Sequence, residues 1–287
     1  MDAFGAVPER RWRIRGGSQW LTGTDTGAGE PVVLLHGLAS THRWWDLVAQ
    51  RLPRFRVVRF DHRGHGGSSV PVDGYDLDTL VADTLDVLDQ LNLGPAVLAG
   101  HSLGAAVALR IAAAHPDRVA ALACVDGGLY DPPSLFGAVW EQARAQMLRP
   151  RRGRITPAVL RAWLASTDLP AAALPAILAN YDATGPDGTL RLRLAPRHEE
   201  QLAHDLWRQD PLPFLQAVRA PVLALAAHQG DPRQDLPRRE SIQRARTLLG
   251  TLLTVDWVPG GHELPLEHPD QVANALTALS CHAPDPA

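Results

Sequence analysis

The chain contains no lysine. All 28 of its basic residues are arginine, set against 31 acidic ones, for a formal net charge of −3 over 287 residues. That absence excludes chemistry built on a side-chain amine: Schiff-base catalysis, a lysine-bound pyridoxal and a P-loop lysine. Cysteine is almost as scarce. Cys124 lies in an apolar run and Cys281 close to a Pro-rich end. No disulfide framework is expected, and two thiols cannot build a Cys-rich zinc site. Long apolar runs are missing too, so no segment reads as a bilayer span. Met1-Asp2-Ala3-Phe4 lacks the basic and apolar regions of a secretory leader. The balanced charge gives no reason to expect a nucleic-acid or membrane partner. The expectation is a cytoplasmic protein, monomer or homodimer, acting on a small molecule.

What is present is an ordinary globular composition, 45% hydrophobic and 21% charged. The length suits one large domain or a core with an inserted subdomain. No internal repeat is found. Arg11 to Thr24 reads as a hairpin turning at Gly16-Gly17. Val32 to Leu35 is a short apolar run of the kind buried strands use. Thr41 to Leu52 reads as helical and Arg56 to Phe60 as a strand. Leu77, Leu80, Val81, Leu85, Leu88 and Leu91 fall at helical spacing with acidic residues between them. Further strands are expected at Ala96–Ala99, Val119–Val125, Pro221–Ala226 and Thr251–Val258, and a closing helix at Asp270–Leu279. Strands alternating with helices predict an α/β fold with a mostly parallel sheet covered on both faces. The alternation stops between about Leu129 and Pro211. That stretch is rich in Pro, Ala and Arg and holds Trp140, Trp163 and Trp207. It reads as a helical cap between the sixth and seventh sheet strands. The expected division is therefore a core of residues 1–128 and 212–287 and a cap of 129–211.

The most informative residues are Gly100-His101-Ser102-Leu103-Gly104, a G-x-S-x-G pattern. An apolar strand precedes it and a small-residue helical run, Ala105 to Ala114, follows it. Strand, tight turn and helix together would push Ser102 out at the top of a sheet, with glycines where a Cβ would clash. A serine hydroxyl is a weak nucleophile until an imidazole takes its proton. His262, in the glycine-rich loop Pro259-Gly260-Gly261-His262 after the last strand, is the best base. The N–H groups of Leu103, at a helix N-terminus, and of Leu38, after the first buried strand, are the candidate oxyanion donors. His101, Trp44 and Trp140 are the candidate substrate contacts.

These pieces resemble the α/β-hydrolase superfamily of esterase- and lipase-like serine enzymes. The resemblance is carried by His36-Gly37, Asp61-His62-Arg63-Gly64-His65-Gly66-Gly67-Ser68, the elbow at Ser102, His115-Pro116-Asp117-Arg118-Val119 and Gly261-His262. It implies the α/β-hydrolase fold: a mostly parallel eight-stranded sheet flanked by helices, with an inserted helical cap. It also implies a Ser–His–acid triad. In similar proteins the acid most often follows the seventh strand, which points to Asp231, one residue late after Gly230. Some relatives place it after the sixth strand, which points to Asp126; Asp235 is a third candidate. His36 is expected to shape the oxyanion loop. His62 and His65 sit in a glycine-rich loop that does not fix metal-ligand spacing, and neither metal nor cofactor is expected. The arginine run 149–154 reads as solvated surface. The implied activity is hydrolysis of a carboxylic ester, lactone or thioester of a small apolar molecule. The alternatives are an acyltransferase or cyclase-like tailoring enzyme, and a small-molecule receptor with slow or no turnover.

Overall fold

The computed structural model of the chain describes residues 9–148, 154–184 and 188–281. The arginine run expected to be solvated lies outside them except for Arg154, as does the segment Met1–Phe4 read for a leader.

β1 (Arg10–Gly16) and β2 (Gln19–Thr26) form the expected hairpin, turning at Gly17 with φ 56°. β3 (Pro31–Leu35) leads to a 3-10 turn at His42–Trp45 and a single α-turn, α1 (Asp46–Ala49). A continuous helix was expected over Thr41–Leu52. The chain instead winds tighter, with i→i+3 bonds from Trp44 N–H to Thr41 O (3.0 Å) and from Arg51 N–H to Val48 O (2.9 Å). β4 (Arg56–Phe60) and α2 (Leu77–Gln90) follow, then β5 (Ala96–His101), α3 (Leu103–Ala114) and β6 (Val119–Val125). Asp76 caps α2 by accepting from Thr79 N–H at 2.8 Å. Leu77, Leu80, Val87 and Leu88 of that helix are buried.

After β6 the chain leaves the sheet. It forms α4 (Pro132–Phe136), α5 (Trp140–Met147), α6 (Pro157–Ala165), α7 (Leu174–Leu178), a short antiparallel pair β7 (Tyr181–Ala183) and β8 (Leu190–Leu192), and α8 (Pro196–Trp207). The excursion is helical as expected, with the β7–β8 pair added. It returns through α9 (Leu212–Ala217) to β9 (Val222–His228), α10 (Pro232–Leu249), β10 (Leu253–Pro259), α11 (Leu264–Glu267) and α12 (Pro269–Ser280).

The main sheet has eight strands in the order β1-β2-β4-β3-β5-β6-β9-β10. Only the β1/β2 and β2/β4 pairs are antiparallel. Helices cover both faces, so β5 is buried at every position and its sequence is apolar without alternation. One face packs Val33, Leu35, Leu98 and Leu122 against α2 and the alanine-rich α3. The other packs Leu34, Val97, Ala123 and Leu225 against Trp45 and α12. Among the described residues no helix is long and apolar enough to cross a membrane.

The turn from β5 into α3 needs its glycines for close approach. A Cβ on Gly100 would sit 2.2 Å from the backbone of Gly104. A Cβ on Gly104 would sit 2.3 Å from the carbonyl oxygen of Leu35 on the neighbouring strand. Backbone cannot give way as a flexible side chain can, so the tight turn exists only with hydrogen at both positions.

Candidate active site

Ser102 stands at the head of α3 with φ 54° and ψ −115°. A non-glycine residue in this region carries about 1–3 kcal/mol of strain, which persists only where surrounding structure holds it. Here the serine N–H donates to Val125 O (3.1 Å), and its carbonyl accepts from Ala105 N–H (3.0 Å). The strain lifts the side chain off the sheet into a cavity of about 330 Å³. His262 lines the same cavity.

Asp126 immediately follows β6 and is also left-handed, with φ 42°. In the β5/β6 register His101 pairs with Val125, so Ser102 and Asp126 leave adjacent strands at the same level. The Nδ1–H of His262 donates to Asp126 Oδ2 at 2.6 Å. The other carboxylate oxygen accepts from the Tyr130 hydroxyl (2.8 Å) and from Ala227 N–H (3.1 Å). Arg238 Nε lies 3.5 Å from the same oxygen. Burial alone would raise the Asp126 pKa. The hydrogen bond and charge of His262, together with Arg238 and Tyr130, outweigh it and hold the pKa below the usual carboxylate value. Desolvation likewise opposes protonation of His262, but the bond to Asp126 and its negative charge raise that pKa above 6.5. Asp126 fixes one tautomer, with the proton on Nδ1 and Nε2 left to accept.

Asp231 is not brought to His262. Its carboxylate caps α10 by accepting from Arg233 N–H (3.0 Å), with Pro232 in the first helical turn. Asp235 accepts from Gln229 N–H (3.2 Å) and Gly230 N–H (2.9 Å), closing the turn after β9. Both carboxylates serve local backbone. The Asp231-Pro232 pair was the available signal, since Asp followed by Pro marks a helix start.

The candidate oxyanion loop is braced by buried histidines. His36 Nδ1–H donates to Gly37 O (2.8 Å) and its Nε2 accepts from His62 N–H (3.0 Å). His65 Nδ1–H donates to Arg63 O (2.9 Å) and its Nε2 accepts from Ala39 N–H (3.2 Å). These bonds flank Leu38, which lines the cavity. Leu103 is the first residue of that helix, where N–H groups lack intrahelical partners.

Those histidines set a pH dependence. Burial first, then the His65 imidazole and the Arg63 charge, depress His62 to about 3; burial brings His65 to about 4, and burial with the His262 imidazole brings His101 to about 4; His36 is also well below 6.5. Unfolded, each takes its proton near 6.5. Between about pH 6.5 and 4 the unfolded chain therefore binds more protons than the folded one. The stabilisation is complete above pH 6.5 and is lost as pH falls through that window. His262 runs the other way: its raised pKa gives a contribution present below 6.5 and lost above the raised value. Four groups outweigh one, so the melting temperature should drop steadily from pH 7 to pH 4.5 in calorimetric scans. A flat profile there would contradict neutral, buried histidines.

The cap side of the cavity is apolar, with Leu135, Phe136, Met147 and Leu206, and includes Gln146, Gln209 and Glu199. Trp44 lines it as expected, with its indole N–H donating to Glu263 Oε2 at 3.1 Å. His101 also lines it, but its Nε2–H is engaged by the carbonyl of His262 at 2.7 Å. Trp140, expected to touch substrate, does not line this cavity. Its ring packs on His204 (4.7 Å) and Trp207 (5.6 Å), aromatic contacts that pull it toward α8. Tyr130 and Arg238 were missed, because nothing in their local pattern ties them to Asp126. No group of three or more metal-ligand side chains occurs among the described residues.

The pattern of the alpha/beta hydrolase fold family matches residues 30–269. The chain belongs to this family. Among α/β-hydrolases, the AB hydrolase superfamily protein YisY of Bacillus subtilis is 41% identical over 93 residues, 32% of this chain and 35% of that protein. The (E)-2-((N-methylformamido)methylene)succinate hydrolase of Acinetobacter baylyi is 32% identical over 122 residues, 42% of this chain and 46% of that protein. The aligned stretch thus spans only about a third to a half of these α/β-hydrolases. A solved E-2-(acetamidomethylene)succinate hydrolase superposes over 95% of this chain and 99% of its own, with a TM-score of 0.78 and 26% identity.

Proposed function

We propose that this protein is a serine hydrolase that cleaves a carboxylic ester, lactone or thioester of a small, uncharged, largely apolar molecule. Ser102 attacks the carbonyl while His262 Nε2 takes its proton. Asp126 holds the imidazole and stabilises the imidazolium. The N–H groups of Leu38 and Leu103 receive the oxyanion. His262 then protonates the leaving group and activates water to release the acyl group. Residues 129–211 act as the cap that excludes bulk water.

The observation that carries this reading is the 2.6 Å bond from His262 to Asp126, beside a serine held at φ 54° on the same cavity. Hydrolysis is also the activity named for two of the relatives. A cavity near 330 Å³ is at the small end of ligand sites, which run from about 300 to 1,000 Å³. Arg238 is paired with Asp126, while Glu199 and Glu263 add negative charge to the wall. That balance disfavours a dicarboxylate such as the succinate derivatives in those relatives' names.

A fluorophosphonate probe tests the reading without knowledge of the substrate. Wild-type protein should label at Ser102 within minutes, and His262→Ala should slow labelling by orders of magnitude. Steady release of product from activated esters would follow. Folded protein that takes no label would remove the hydrolase reading in favour of a ligand receptor. Products captured by an added alcohol ahead of water would make it an acyltransferase.

A further inference from the structure

The turn carrying His262 has little regular structure of its own. β10 ends at Pro259 and α11 begins at Leu264. Two side chains from outside the turn bind its backbone. Glu267, closing α11, accepts from Gly261 N–H through Oε2 (2.5 Å) and from Glu263 N–H through Oε1 (3.1 Å). One carboxylate thus straddles His262, holding the N–H groups on either side. From the sheet, His101 Nε2–H donates to the carbonyl of His262 itself at 2.7 Å. His101 ends β5 and directly precedes Ser102.

We propose that His101 and Glu267 are positioning residues for the base: His101 ties its backbone to the strand that carries the nucleophile, and Glu267 pins the peptide units around it. The proposal rests on the hydrolase reading above. The chemistry of each contact is definite. A carbonyl only accepts, so His101 must carry its proton on Nε2. Its Nδ1 then has no protein hydrogen-bond partner among the described residues, and the side chain makes one directed bond, to His262. The rings of the two histidines lie 4.7 Å apart. A base displaced by about 1 Å loses about 10²-fold in rate, although nothing that touches substrate has changed.

Three variants test the pair. His101→Leu fills similar space without a donor and should lower kcat about 10- to 100-fold, with KM unchanged. His101→Gln places an amide N–H at nearly the reach of Nε2 and should restore most of the loss. Glu267→Gln has one acceptor in place of two. It should lower kcat less and speed hydrogen exchange at Gly261 and Glu263. The low-field Nδ1–H proton resonance of His262 supplies a readout that needs no substrate. It should shift or broaden in His101→Leu and return in His101→Gln. Wild-type kcat in His101→Leu, or a Gln variant as impaired as Leu, would overturn the role of His101. Unchanged exchange in Glu267→Gln would overturn that of Glu267. A wild-type protein that neither labels nor turns over esters sinks the hydrolase reading instead. A His262 resonance that still follows the His101 substitutions would then leave the tether standing by itself. Circular dichroism separates each result from misfolding.

Discussion

Ser102→Ala protein should hydrolyse activated esters up to about 10⁶-fold more slowly than wild type while folding normally. The size of the effect follows from the proposed triad acting as a unit. His262 has nothing to deprotonate once the hydroxyl is gone, and Asp126 then orients an idle base. Residual turnover would come from the oxyanion donors and from binding, which together leave about 10³–10⁴ over water in comparable triads. Folding should be spared. The strain at φ 54° belongs to the backbone, set by Gly100, Gly104 and the bond from the serine N–H to Val125 O, none of which needs the hydroxyl. Initial rates on an activated ester together with a thermal melt check both halves. Turnover within tenfold of wild type would remove Ser102 from the chemistry.

Asp126→Asn should lower kcat by about 10⁴, whereas Asp231→Asn should leave it unchanged. The asparagine is nearly isosteric. It can still accept from Ala227 N–H and Tyr130 through its carbonyl oxygen, so the site stays assembled. The amide that faces His262 Nδ1 is now a donor, and it favours the wrong imidazole tautomer, with the proton on Nε2. The base then points its hydrogen at the serine. Loss of the carboxylate also removes the charge that raises the His262 pKa. The acid limb of the kcat/KM profile should therefore move to lower pH as the rate falls. Asp231→Asn changes only a helix cap, at which Asn is as good as Asp. Equal activity in wild type and Asp126→Asn would exclude Asp126 as the acid. Collapse in Asp231→Asn would restore the other candidate.

Most of this architecture was legible because burial on both faces writes itself into the chain as continuous apolar runs. β3, β5, β6 and β9 are of that kind, and α2 announces itself by its spacing. α10 does not. It is the longest helix described, polar and rich in arginine, with Pro237 inside it, and only a few of its residues, Ile242, Ala245 and Leu249 among them, reach the core. α1 is a different failure. The Thr41–Leu52 pattern fits a helix, but the chain there winds as a 3-10 turn, where Asp61 accepts from His42 through both its N–H and its ring Nδ1 (2.8 Å each). In the candidate site, Ser102 and His262 stand in local patterns that name them. Asp126 is one of three candidate carboxylates, and only the spatial order of β5, β6 and β9 brings it to His262. Tyr130 and Arg238 are defined by the carboxylate they touch. No one-dimensional pattern contains that relation.

Ser102 and Asp126 stand on neighbouring strands, one step beyond a paired position, and both backbones turn left-handed there. A displacement of either strand therefore carries both residues together. Of the three candidate groups, His262 alone stands on a turn held by side-chain bonds rather than at a strand end. The assembly is a fixed bench with one tethered part, and gentle heating or dilute denaturant should disarm that part before the bench itself gives way.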